Sequence, residues 1–134
     1  MTADEFIYQR LTADAALQAL VGTRIYRDLA PISATTYPMI VFSYTTGDEA
    51  QNGTADKIMD IEQWDIRCID YYKEQPSYAR NKQVLNRVRD VLHKTSDANG
   101  IVSCAAVNKP VEFSELADNG GYCHSVRTFE ICTQ

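Results

Sequence analysis

No run of about 18 apolar residues occurs in this 134-residue chain, so no segment has the length of a membrane-spanning helix. The first 20 residues carry Asp4, Glu5, Arg10 and Asp14 and lack the basic start and apolar centre of a secretory leader. Four cysteines (Cys68, Cys104, Cys123, Cys132) are too few for a disulfide scaffold, and no two have the Cys-x-x-Cys spacing of a structural zinc site. His124 adjoins Cys123, but neighbouring strand residues point to opposite faces and do not share a metal. The six glycines include neither Gly-x-Gly-x-x-Gly nor a Walker pattern. No Gly-x-Ser-x-Gly elbow or cysteine-protease signature is found, and His93 and His124 read as a helix-end and a strand-face residue. Asp48 and Glu49 sit in a polar segment with nothing apolar to raise a carboxyl pKa. The chain therefore has no assignable catalytic, cofactor-binding or metal-ligating residue, and no enzyme activity is expected.

What it does have is enough apolar material, 45% of its residues, to build one core. Residues 1–134 read as a single soluble, intracellular domain. The net charge of −5 argues against a general nucleic-acid binder. Its distribution is uneven. Between Gly47 and Glu62 five acids (Asp48, Glu49, Asp56, Asp60, Glu62) face Lys57 alone, a net of −4. Between Pro76 and Lys94 five bases (Arg80, Lys82, Arg87, Arg89, Lys94) face Asp90 alone, a net of +4. Such runs are ordinarily solvated faces; they would equally give a molecule opposite poles with which to meet its own copies.

Thr2 and Glu5 form a capping-box pair that starts a helix near Ala3. The apolar stripe Phe6, Ile7, Leu11, Leu17, Leu20 and Val21 extends it to about Leu20, with a break near Leu11 where Thr12 could cap a second helix, and Gly22 as the stop. After a connector, Met39–Thr45 is a β-rich run, Gly47–Asp56 reads as a long hairpin loop, and Ile58–Tyr71 returns as a strand. In that strand Trp64, Ile66 and Cys68 alternate with Asp65, Arg67 and Ile69. Pro76 would open the next helix, whose buried side is Val84, Leu85, Val88, Val91 and Leu92. Lys94, and His93 if protonated, would suit its carboxyl end. Ile101–Val107 and Val111–Leu116 read as one strand interrupted at Pro110. Asp118–Gly121 turns the chain into a last strand with Cys123, Ser125, Arg127, Phe129 and Ile131 on one face and Tyr122, His124, Val126, Thr128 and Glu130 on the other. A Cys104–Cys123 disulfide stays open at this level. The order implies an α+β fold: an antiparallel sheet of about four strands in two hairpins, with two to three helices on one face.

The stretch Thr12–Tyr26 (TADAALQALVGTRIY), followed by Ala30-Pro31 and by Tyr37-Pro-Met-Ile-Val41, resembles the opening of tail-completion, or tail-terminator, proteins of long-tailed bacteriophages and prophages. The strand ending near Asp70-Tyr71, the helix running to His93 and the closing Arg127-Thr-Phe129 agree with it. The likeness covers nearly the whole chain; its motifs are structural, and the acidic loop and the cysteines stand outside them. It implies a virion structural protein, made in the host cytoplasm and carried into the virion. Such a protein forms a homo-oligomeric ring, commonly a hexamer, on the head-proximal end of the tail tube. Its partners would be itself, the tail tube protein and the head–tail connector, with DNA passing through unbound and neither cofactor nor membrane involved. Asp48, Glu49 and Asp56 would face Arg80, Lys82, Arg87 or Arg89 of the adjacent subunit. A head-side connector or minor tail protein is the nearest alternative. A small intracellular ligand-binding module or enzyme of α+β fold is the alternative of a different class.

Overall fold

The computed structural model describes residues 1–134 except Asn52 and residues 54–56, and excludes the Lys57 side chain. Its elements in chain order are α1 (Ala3–Ala13), α2 (Ala15–Val21), β1 (Ile25–Arg27), β2 (Met39–Gln51), β3 (Lys57–Tyr72), α3 (Ala79–Leu92), β4 (Thr95–Asp97), β5 (Ile101–Ala106), β6 (Val111–Ala117) and β7 (Gly120–Thr133).

At the start of α1 the Thr2 N–H donates to the Glu5 carboxylate at 3.0 Å, one arm of the capping box. The first helix breaks at Asp14, two residues beyond the position expected. Thr12 turns its hydroxyl back onto the Tyr8 carbonyl at 2.7 Å, while Asp14 Oδ2 accepts the Leu17 N–H at 2.9 Å and caps α2. Gly22 ends α2 at φ 60°, a conformation that suits glycine. The last helix begins at Ala79, three residues after Pro76, with Tyr78 at its cap position.

Among the described residues seven strands form one sheet in the order β1-β2-β3-β7-β5-β4, with β6 paired to β7; β1 lies parallel to β2 and every other pair is antiparallel. This exceeds the four strands expected, for two reasons. Two three-residue strands, β1 and β4, extend the sheet at its edges. The interrupted strand is also two strands end to end: β3 occupies one edge of β7, and β5 and β6 share the other, opposite Phe129–Thr133 and Gly120–Val126 respectively. Pro110 falls at the break between them, where its missing N–H costs no ladder bond. The β2–β3 hairpin is also longer than expected. Gly47–Gln51 is strand, held by cross-strand pairs such as Gly47–Glu62 and Glu49–Asp60, after a register shift between Tyr44 and Thr46.

The alternation of β3 and β7 sorts the sheet into two faces. One carries Ile40, Phe42, Trp64, Ile66, Cys68, Phe129 and Ile131 and is covered by Phe6, Ile7 and Leu11 of α1, Leu17 of α2, and Val84, Leu85, Val88 and Leu92 of α3. Asn81 joins this layer, its amide nitrogen reaching the carbonyls of Cys68 and Cys123 and the Ser125 hydroxyl. The other face bears Asp65, Arg67, Ile69, Tyr122, His124 and Val126 and, among the described residues, has no helix on it; Tyr37 of the connector packs there against Tyr71 and Tyr122. All four cysteines are free thiols, so the open disulfide question resolves against a bond.

Candidate functional site

Four acids of the segment, Asp48, Glu49, Asp60 and Glu62, lie in the sheet. Asp48 and Glu49 lie exposed on the extended arm of β2, with Asp60 and Glu62 across from them on β3. Together with Tyr44 and Gly47 these four carboxylates line an open cleft of about 250 Å³. Tyr44 closes its inner end: the ring meets Trp64 edge-on at 5.8 Å and its hydroxyl lies over Gly47, where a Cβ would collide with it. Glu62 Oε2 accepts the Trp64 indole N–H at 3.3 Å. Asp56, the remaining acid proposed from sequence, lies outside the described residues.

The four basic candidates on α3 divide into two pairs. Arg87 forms a two-pronged bond with Asp14, at 2.8 Å through Nε and 2.6 Å through Nη2, tying α3 to the cap of α2. Hydrogen bonds from Arg87 hold the Asp14 carboxyl below its usual range, with the Leu17 N–H adding to the effect against the opposing influence of burial. Arg80 donates to the Tyr37 carbonyl at 2.9 Å and pairs with Asp70 at 3.1 Å. Lys82 and Arg89 are exposed, and no ion pair among the described residues joins Asp48 or Glu49 to any base of α3.

Arg89 instead opens onto a cleft of about 460 Å³ shared with His93, Asn108, Lys109 and Arg127. This grouping was not assembled from the sequence, because its members come from α3, the β5–β6 joint and β7. One signal was present: Arg127 stands in the inward-facing alternation of β7 between Ser125 and Phe129, where a guanidinium is out of place. It is 8% exposed, and its Nε and Nη1 find no hydrogen-bond partner. Burial, and then Arg89, lower its pKa. His93 is no cationic helix cap. Its Nδ1 accepts the Ala106 N–H at 3.0 Å, and burial, Arg89, Lys94 and Arg127 all push its pKa down.

The helix-free face holds the second cleft with a buried titratable group. His124 stacks on Phe113 at 4.7 Å with the rings 6° from parallel, and its Nε2 lies 3.6 Å from Glu115. Burial and Arg67 depress its pKa against the opposing pull of Glu115. Among the described residues no three His, Cys, Asp or Glu side chains group as metal ligands.

A family model described as tail completion protein gp17 matches residues 5–133. No curated protein matches the chain. Among solved structures, a chain of the virion of a native gene transfer agent (GTA) particle shares the fold: it superposes with a TM-score of 0.70 at 22% identity, over 95% of this chain and 90% of that one.

Proposed function

The chain belongs to the tail completion protein gp17 family, and from that premise we propose that it caps the head-proximal end of a phage tail tube. In this role it ends tube polymerisation and presents a surface to the head connector, as a ring, most simply a hexamer. The observation that carries the reading is the reach of the family match, which runs through the three helices and seven strands of the described residues. The surface is compatible with it. A closed ring needs two different patches per subunit, and here the acidic arm of β2–β3 and the bases Lys82 and Arg89 occupy separate parts of the molecule. Opposite charges on such patches chiefly speed and register assembly. With the guanidinium groups of Arg80 and Arg87 paired within the chain, Lys82 and Arg89 are the α3 bases left to meet a neighbour's Asp48 and Glu49. Tail tube and head connector proteins are the other partners, and a net charge of −5 lets DNA pass without adhering. Assembly would take place in the host cytoplasm before incorporation into the virion.

The test is electron microscopy of particles made without this protein. Overlong tails without heads are expected. Tails of normal length joined to filled heads would overturn the proposal.

A further inference from the structure

The geometry points to a carboxylate-binding socket at the β5–β6 joint, formed by Arg127, Arg89, Lys109 and His93, whose ligand is the acidic β2–β3 arm of a second copy of this chain. The inference rests on the ring reading and names the contact that would close the ring.

Three observations converge on it. Arg127 is a charged side chain more than nine-tenths buried, with two guanidinium nitrogens unpartnered and no carboxylate paired to it among the described residues. A buried charge left in that state is costly unless an anion completes it. The cleft it lines holds two further cations and no acid: Arg89 and Lys109 flank it, and the uncharged Asn108 and His93 complete its polar rim. Burial first, and then the neighbouring cations, lower the pKa values of Arg127 and His93. The matching anion is present in the chain itself: Asp48 and Glu49 stand exposed on an arm of β2.

The chain's own arm does not fill its own socket. β2 is separated from β5 by β3 and β7 in the sheet order, roughly 14 Å at the usual strand spacing. The arm and the socket therefore lie toward opposite lateral edges. An arm of one copy entering the socket of the next is a head-to-tail contact, the kind that generates rings. Carboxylates suit the socket because guanidinium N–H groups donate charge-assisted hydrogen bonds to carboxylate oxygens.

Sedimentation velocity on complementary variants tests this. The intact chain should self-associate as concentration rises. Arg127→Gln, and independently the surface pair Arg89→Gln with Lys109→Gln, should weaken association by roughly 30-fold or more. The arm variant Asp48→Asn with Glu49→Gln should do the same. Circular dichroism identifies a variant that fails to fold, and the surface pair then stands in for Arg127→Gln. The decisive sample is an equimolar mixture of a socket variant and the arm variant. It keeps one intact contact per pair and should form heterodimers and nothing larger. Inorganic phosphate should compete with association. A parent chain monomeric up to millimolar concentration, socket variants that associate like the parent, or a mixture that stays monomeric would each overturn the inference. Phosphate binding to a chain that never self-associates would reassign the socket to free oxyanions and overturn it too. Unchanged association with normal capping by the variants removes this contact alone; normal tails without the protein remove the capping role alone.

Discussion

Asn81 offers the sharpest test of how helix and sheet are joined. It lies in the first turn of α3, 0% exposed, with its Nδ2 3.2, 3.0 and 3.2 Å from the Cys68 carbonyl, the Cys123 carbonyl and the Ser125 hydroxyl. Two N–H groups serve three acceptors, so about two hydrogen bonds exist at a time. At about 1 kcal/mol net each, replacing the amide by a similar apolar shape in Asn81→Leu should cost roughly 1–2 kcal/mol, since Oδ1 has no partner to lose. Asn81→Asp is the more revealing change. An ionised carboxylate there would face three oxygens inside the core, so its folded-state pKa must rise above the unfolded value of about 3.9. Below about pH 4 both states hold the proton and the variant should lie close to Asn81→Leu. Above it the unfolded state releases the proton first, and stability relative to the parent should fall by about 1.4 kcal/mol per pH unit until the folded pKa is reached. A rise of about three units gives a deficit near 4 kcal/mol at pH 7, on the order of 15 °C in Tm for a domain of this size. Urea unfolding followed by the fluorescence of the single Trp64, at pH 4 and pH 7, measures it. An Asn81→Asp variant with the same deficit at both pH values would refute the account of Asn81 as the donor that joins α3 to β3 and β7.

Two further expectations concern titration and thiol chemistry. Asp14 has its folded pKa lowered by Arg87, so its charge adds stability that is present above the unfolded carboxyl pKa and lost as pH falls through the folded one. Asp14→Asn keeps a cap but not the charge. It should be less stable than the parent at neutral pH and converge with it once acid has protonated the parent's Asp14; a gap of equal size in both conditions would show that the ion pair is not its source. Burial raises the Cys104 thiol to about 12 and pushes Cys68 higher still, Cys123 is also buried, and Cys132 alone is half-exposed. An aromatic disulfide reagent should titrate one thiol quickly in the native chain and four in denaturant; more than one fast native thiol would contradict this packing.

What the sequence disclosed follows from how local each signal is. The Thr2–Glu5 box, the Gly22 stop and the period-2 alternation around Trp64 are settled within a few residues, and the structure keeps all three. The helix break was placed at Thr12 when Asp14 performs it, because a hydroxyl that can bond its own helix carbonyl is a poor cap. Gly47–Gln51 looked like loop from its glycine and acids, yet cross-strand pairing with residues 57–62 holds it extended, a tertiary preference overriding composition. The acidic arm could be read as a unit because it is contiguous. The cationic cleft could not, since Arg89, Lys109 and Arg127 meet only after β5 and β6 have lined up along β7.

That line-up leaves β6 with a bare flank. Among the described residues β6 pairs only with β7, and all seven of its residues are exposed, Val111, Phe113 and Leu116 included. Half of its backbone donors and acceptors consequently face water, which makes every unassembled molecule a template for unprogrammed strand addition. Glu112 and Glu115 stand between the apolar residues, charges of the kind that oppose such pairing. The exposed flank makes a low standing pool of unassembled chain the condition under which orderly assembly outruns aggregation.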